Sequence, residues 1–559
     1  MARSAKGYLK MTWNIVFINI CNATSSPYVN PIFLQTHAAI CKDLIHEADV
    51  RIYDGACGDA LPKIISLYDR IDMMIAALEN ENHIDILNSA IGIGCNISNI
   101  MLCGGLVTNA VNDFVLNSIV SSINSLKVKT FVGRDSIKLA RKILKTLKPN
   151  AEGIGDGIEE RHVSARPLVM GVARANTLPF SSGMRDAVKE GGLTLLVEGV
   201  TRGCSHRCLY CHLNNRNETS GLVQKVTGNP AEALLNLYKV FGDTCIYQLT
   251  DENFFGGDHS HLEQVISFSK KLLELGFRAK IGVDTRIDSI WSSEDSCDTR
   301  KLRVNAWSEM ILSGLSYSYF GAESFSKEQV KRYGKLKEFP SIFRGIECAQ
   351  EFGIDFTVGL IIFDPMVTKD DIKINIETIE RLGIHSNVAS LLKPMRLNLS
   401  NRYVMAHLMR GGVDLYGVAN AGIGGHMPIN FSDSHVRRMW PYVYSIHSLF
   451  AESGYRHSDC AAHFSLLGQC EIDNRGYIPS RVIKFEIEFL RHLLSDFDEE
   501  KLEIIVRDRL RNCIDDCAAW LHRAAGDIQV GSPQNKILSI YRHVFEGIGA
   551  SLNDRELFS

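Results

Sequence analysis

Three cysteines stand close together in "GCSHRCLYCH": Cys204, Cys208 and Cys211, at spacings of four and three residues. Thiolates so near one another on one loop can converge on a single metal centre and leave one coordination position open. Structural zinc sites close with four protein ligands, often as two separated pairs. A bacterial ferredoxin run has other spacings and a fourth Cys followed by Pro. Neither pattern is present, so the open position asks for a ligand from elsewhere.

The elements around the triad say where it must sit. It follows "LTLLVEGVTRG", an apolar run that reads as a strand, and parallel barrels carry their active sites at the C-terminal ends of strands. From residue 193 the runs "LTLLVEGV", "CIYQLT", "RAKIGVD", "SYSYFGAES", "DFTVGLIIF" and "NVASLL" recur, with helical stretches such as "HLEQVISFSKKLLELG" and "FPSIFRGIECAQEFG" between them. Six strand–helix units predict a partial (β/α)6 TIM-like barrel over 193–404.

Residues 1–165 alternate in the same way. "WNIVFINI", a helical segment near 33–46, "VRIYD", a helical stretch at 61–80, "AIGIG", an amphipathic stretch at 108–126, "VKTFVG" and the helix "SIKLARKILKTL" lead to "AEGIGDGIEE". The pattern predicts an α/β domain with a doubly wound, flavodoxin-like parallel sheet. Residues 166–192, with Pro167, Pro179 and Gly183, read as a linker. Residues 405–559 read as mainly helical, with an amphipathic run from Arg481 to Ser495, and suit a substrate lid.

Composition bounds the rest. A chain of 559 residues exceeds one ordinary core. Its net charge of -3 gives no general pull towards nucleic acid. No apolar run reaches the length of a membrane span, and "WNIVFINIC" reads as a strand rather than a secretory signal. The 15 cysteines are scattered, as expected of small buried hydrophobes in a reducing cytoplasm. The histidines beyond 405 read as core or surface residues.

The loop CxxxCxxC, with Tyr210 before its last cysteine, resembles the cluster loop of the radical S-adenosylmethionine superfamily. The resemblance covers about residues 195–400. It implies that Cys204, Cys208 and Cys211 hold three irons of a [4Fe–4S] cluster and that S-adenosylmethionine ligates the fourth, which accounts for the open position. "QLTDENFF" stands where the family has a polar motif for the methionine amino group, so Asp251, Glu252 and Asn253 are candidates there; helix capping by Asp251 is the alternative. Arg286 in "VDTRIDSI" is a candidate partner of the methionine carboxylate, or the member of a surface ion pair. "FGAESFSKEQV" matches the family's Gly-x-Glu-Ser segment and implicates Glu323 and Ser324, although Ser324 also suits a cap for a helix from Lys327. Tyr210 joins this S-adenosylmethionine set. Asp364, Pro365 and Thr368 keep only part of the family's next motif.

The front domain resembles, in order and spacing, the cobalamin-binding domain that precedes the radical core in one branch of the superfamily. Asn22, Thr24, Ser25, Gly133, Gly155 and Gly157 are candidate cobalamin contacts, since glycine at strand ends lets backbone approach a flat ring. Gly153, Asp156 and Glu159 lie in the same last loop. Such loops also serve nucleotides or plain turns. No Asp-x-His-x-x-Gly motif occurs, so no protein histidine is expected as lower ligand.

What the resemblance implies is a cobalamin-dependent radical enzyme, with C-methylation of an unactivated carbon in natural-product or cofactor biosynthesis as the first reading. Radical rearrangement, cyclisation or elimination without net methylation is the second. A non-catalytic iron–sulfur sensor is the third, and a retained Gly-x-Glu-Ser segment argues against it. A small-molecule or peptide substrate and an electron donor such as flavodoxin or ferredoxin are the expected partners, with no nucleic acid and no membrane.

Overall fold

The structure is a computed structural model and describes, in the first part of the chain, residues 13–19, 28–29, 48–54, 61, 65–77, 87–88, 97–103 and 129–132. From 194 it describes the chain to 558 except 198, 212–223, 226–228, 244, 257, 336, 338, 396–402, 404–430, 456, 467–475, 496, 527–532 and 555–556. Two compact units result: Met1–Ala187 with Thr227–Asn229, and Val188–Val226 with Pro230–Ser559.

The first unit is built on β1 (Trp13–Asn19), β3 (Ala48–Asp54), β4 (Met73–Ala77), β5 (Asn99–Cys103) and β6 (Lys129–Val132), with a two-residue β2 (Tyr28–Val29). The sheet order is β3-β1-β4-β5-β6, parallel throughout. Ile15, Val16 and Phe17 of β1 and Met73, Met74 and Ile75 of β4 are wholly buried. A strand covered on both faces reads as an unbroken apolar run. That is why the helical reading of 61–80 fails at its end: "MMIAA" is a central strand, and periodicity alone cannot separate so short a run from a buried helix. The helical segments expected at 33–46, 108–126 and 136–147, the strand "AIGIG", and Asn22, Thr24, Ser25, Gly133, Gly153, Gly155, Asp156, Gly157 and Glu159 all lie outside the described residues.

The second unit strings β7 (Thr194–Val197), β8 (Thr201–Arg202), β9 (Gln224–Lys225), β10 (Ile246–Leu249), β11 (Lys280–Arg286), β12 (Leu315–Glu323) and β13 (Asp355–Leu360) between helices. The helices are α1 (Pro230–Phe241), α2 (His259–Glu274), α3 (Cys297–Leu312), α4 (Lys327–Arg332), α5 (Phe339–Glu351) and α6 (Lys369–Leu382). Strands β7, β10, β11, β12 and β13 are neighbours in that order and parallel. The expected sixth strand, "NVASLL", contributes an isolated parallel bridge from Val388 to Val358 and the hydrogen bond from the Ala389 amide to the Val358 carbonyl. Its polar Asn387 instead donates to the Phe356 carbonyl at 3.0 Å.

Helices α7 (Ser434–Glu452), α8 (His457–Leu466), α9 (Tyr477–Leu494), α10 (Glu499–Gly526) and α11 (Pro533–Asp554) complete the second unit. His457 and His463 are buried, each with a tyrosine hydroxyl at one ring nitrogen. No helix among the described residues is long and apolar enough to cross a membrane.

One contact joins α9 to the sixth segment. Glu486, 2% exposed, accepts hydrogen bonds from the Ser390 hydroxyl at 2.8 Å and the Leu391 amide at 2.7 Å. Burial pushes its pKa from 4.5 up to about 7, although both donors pull it down. Stability linked to a group whose folded pKa is raised is full below the unfolded value and fades as pH climbs through the folded one. Glu486→Gln carries no charge at any pH. Its stability relative to the parent is therefore expected to rise between about pH 5 and pH 7, as urea denaturation at the two pH values would measure. An identical difference at both pH values would contradict the assignment.

Candidate functional site

The cysteine loop begins where β8 ends and is bracketed by the antiparallel pair of β8 and β9. Gly203 turns the chain into it with φ at 87°, a conformation that disfavours side chains. Two long-range hydrogen bonds pin its far end: the Leu209 amide donates to the Tyr333 carbonyl at 3.0 Å, and the Tyr403 amide donates to the Leu209 carbonyl at 3.1 Å. Cys208 is buried, Cys204 and Cys211 are half-buried, and none is in a disulfide. Burial pushes the Cys204 thiol up despite the opposing pull of the His206 backbone and Arg286. A bound metal would reverse that shift, because it binds the thiolate.

Among the described residues no three ligating side chains are already gathered as a single ion would need. A cluster makes a different demand, since it spreads three thiolates over three irons. Three cysteines outside any disulfide on one pinned loop suit that donor set.

The three residues of the "DEN" segment all touch the loop or its neighbour. Asp251, 2% exposed, accepts hydrogen bonds at one oxygen from the Val200 amide at 2.9 Å, the Thr201 amide at 2.6 Å and the Thr201 hydroxyl at 3.0 Å. Its other oxygen is buried without a hydrogen bond. Burial pushes its pKa up to about 7 against those donors. Glu252 accepts from the Gly203 amide at 2.7 Å. Asn253 accepts from the Thr285 hydroxyl, the Arg286 amide and the Ser289 hydroxyl at 2.7, 3.2 and 3.1 Å. In this arrangement the segment holds the cysteine loop against the end of β11.

Arg286 is 6% exposed and far from a surface residue. Its Nε and Nη2 donate to the Asp288 carboxylate at 2.9 and 3.3 Å, and its Nη1 donates to Cys208 Sγ at 3.1 Å. Burial alone would raise the Asp288 carboxyl, but the guanidinium and Lys335 hold it below the usual range. His206, between the first two cysteines, is depressed to about 4 by burial and by Arg286, which makes it neutral at physiological pH.

Glu323 ends β12 with φ at 73°, the one non-glycine residue in that region among the described residues. Strain of this kind concentrates at functional sites. Its carboxylate accepts from the Tyr210 hydroxyl at 2.6 Å and from Lys335 Nζ at 3.3 Å. A side chain at Gly321 would come within 2.6 Å of that carboxylate, which gives the Gly-x-Glu spacing a physical reason. Burial first, then the Glu323 charge, lifts the Tyr210 phenol well above its ordinary pKa, so it stays a donor.

Ser324 is placed differently. It is fully enclosed, with its hydroxyl on Gln329 and Asn375, and the cap of α4 is Ser326. Asp364 is likewise wholly buried, taking hydrogen bonds from Gln329, Tyr333 and Tyr403, and Thr368 forms a capping box with Asp371 on α6.

Two residues were not legible beforehand. Lys335, 2% exposed, lies beside Glu323 and also donates to the Gly321 carbonyl at 2.9 Å. Asp284 is the one exposed position of β11, with Gln248 Nε2 donating to it at 2.9 Å. Protein surrounds this carboxyl even though one side is open, and the desolvation pushes its pKa up to about 7. A recess of about 230 Å³ lined by Tyr317, Asp355, Phe464 and Pro479 lies at the N-terminal ends of β12 and β13. It is at the wrong end of the strands to serve the cysteines.

The parallel-strand core, the cysteine loop that follows β8 and the Gly-x-Glu turn at the end of β12 belong to a fold shared with a solved cobalamin-dependent S-adenosylmethionine radical enzyme. The enzyme OxsB with aqua-cobalamin bound superposes with a TM-score of 0.62 at 17% identity, over 97% of this chain and 81% of that one. The same enzyme with aqua-cobalamin and S-adenosylmethionine bound gives 0.61 at 17% identity, over 97% and 80%. In sequence, the 4'-phospho-dehydrooxetanocin synthase of Priestia megaterium is 24% identical over 342 residues, 60% of this chain. The chain matches only 44% of that relative's length. No family model matches the chain.

Proposed function

We propose that this chain is a cobalamin-dependent radical S-adenosylmethionine enzyme that methylates an unactivated carbon of a small-molecule or peptide substrate. Cys204, Cys208 and Cys211 would hold a [4Fe–4S] cluster, which supplies one-electron cleavage of S-adenosylmethionine. The observation that carries the reading is three cysteines outside any disulfide on one pinned loop, with Arg286 donating to the most buried of them. Around them, Asp251 and Glu252 hold the loop backbone, and Tyr210, Glu323 and Lys335 form its polar wall. Asp284 offers an open carboxylate at a neighbouring strand for orienting a substrate donor group. The core in this reading is a partial TIM-like barrel.

The first unit's β3-β1-β4-β5-β6 order is, counting only those five strands, the 2-1-3-4-5 order of flavodoxin-like sheets, and it supports a cobalamin site at the carboxyl ends of its strands. An electron donor such as flavodoxin or ferredoxin would reduce the cluster.

Rearrangement or cyclisation without net methylation is the second reading. Its support is the relative's name, 4'-phospho-dehydrooxetanocin synthase, which mentions no methyl transfer. S-adenosylmethionine carrying a deuterated methyl group separates the two. Methylation is expected to put the label in the product while 5′-deoxyadenosine and S-adenosylhomocysteine both accumulate. Deoxyadenosine with an unlabelled product would overturn it in favour of the second reading.

A further inference from the structure

We propose that Arg286 sets the reduction potential of the cluster through its hydrogen bond to Cys208 Sγ, with Asp288 as the clamp that aims it. This rests on the cysteines holding a cluster as read above. A guanidinium is a rigid planar fork, and a carboxylate that binds its Nε–Nη2 edge fixes where the remaining nitrogen points. Here that nitrogen, Nη1, lies 3.1 Å from Cys208 Sγ. The arginine is 6% exposed and the cysteine 8%, so water screens the contact poorly.

The backbone around the clamp is fixed as well. Asn253 takes the Arg286 amide, the Thr285 hydroxyl and the Ser289 hydroxyl on one oxygen. Arg286 therefore has little freedom to swing away. The carboxylate sits on the far edge of the guanidinium, and the positive end faces the sulfur.

Hydrogen bonds to cluster sulfurs are among the factors that set iron–sulfur potentials. A reduced cluster carries one more negative charge, so a nearby cation and a donor to a ligand sulfur both favour reduction. The sequence suggested Arg286 as a partner for the methionine carboxylate. The geometry points to the cluster itself, which means the effect should be measurable with no S-adenosylmethionine present.

The test uses the full chain, reconstituted anaerobically with iron and sulfide, without S-adenosylmethionine. Iron content is measured first, and then the midpoint potential by a redox titration followed by electron paramagnetic resonance. In Arg286→Gln the reduced-to-oxidised ratio at a fixed potential is expected to fall about tenfold, a shift of about 59 mV for a one-electron couple. Arg286→Lys keeps the charge without the fork and should fall by less. A Gln variant with full iron and the parent's potential overturns the inference. If the Gln variant loses its iron, the Lys variant carries the reading, and a parent-like potential there overturns it too. If neither variant keeps iron, Arg286 acts on assembly rather than potential, and the inference is wrong. A parent chain that takes up no cluster at all overturns the proposed function along with it.

Discussion

Replacing Cys204, Cys208 and Cys211 together by alanine is expected to reduce bound iron and sulfide to background and to abolish deoxyadenosine formation from S-adenosylmethionine. Thiolate is the ligand that soft iron–sulfur centres require, and alanine offers no donor. The fold should survive the change. The loop is held by backbone bonds from Leu209, Tyr403, Gly203 and Thr201, and none of these uses a cysteine side chain. Cys204 and Cys211 are half-buried, so trimming them removes little packing. Far-ultraviolet circular dichroism should therefore match the parent while the visible absorption of the reconstituted protein disappears. Full iron retention by the triple variant would refute the site.

Lys335→Met is expected to cost roughly 3–5 kcal/mol of stability, the range for removing one partner of a buried ion pair. Lys335 and Glu323 have side-chain exposures of 3% and 13%, and the lysine also satisfies the Gly321 carbonyl. Without the ammonium, the Glu323 carboxylate loses one donor and is left with the Tyr210 hydroxyl. Its backbone already sits in a left-handed conformation, so it has little slack to find another. The double variant Lys335→Met/Glu323→Gln removes both charges and should recover most of the loss, which makes the coupling measurable as a cycle. Trp291, Trp307, Trp440 and Trp520 lie in the second unit and report its denaturation by fluorescence. A single Lys335→Met variant within about 0.5 kcal/mol of the parent, as for an ordinary surface change, would show that the pair does not matter.

Much of the architecture could be read from local pattern. β7, β10 and β13 fall inside apolar runs of the sequence, and β11 and β12 overlap theirs to within two residues, because parallel strands covered on both faces are apolar on both. The same property misled at "MMIAA", where five apolar residues carry no period that separates strand from helix. "NVASLL" departs from its expected strand for the opposite reason. It has strand-like composition, but pairing beyond Val388 depends on its neighbours.

What the sequence by itself determined is the chemistry of the cysteine loop: three thiols, their spacing, the glycine that turns the chain into them and the strand that precedes them. These are local facts, fixed by covalent order and short-range backbone preference. Tertiary structure alone decided what the polar residues do. Asp251 and Glu252 turned towards the loop's backbone, Arg286 towards Cys208, and Ser324 into a closed network, while Lys335 and Asp284 emerged at the site with no motif to announce them. The Glu252–Gly203 and Tyr210–Glu323 bonds span 49 and 113 residues. Which donor meets which acceptor across such distances depends on the register of parallel strands. Register is set by packing of the whole sheet and its helices, and no short stretch of sequence encodes it.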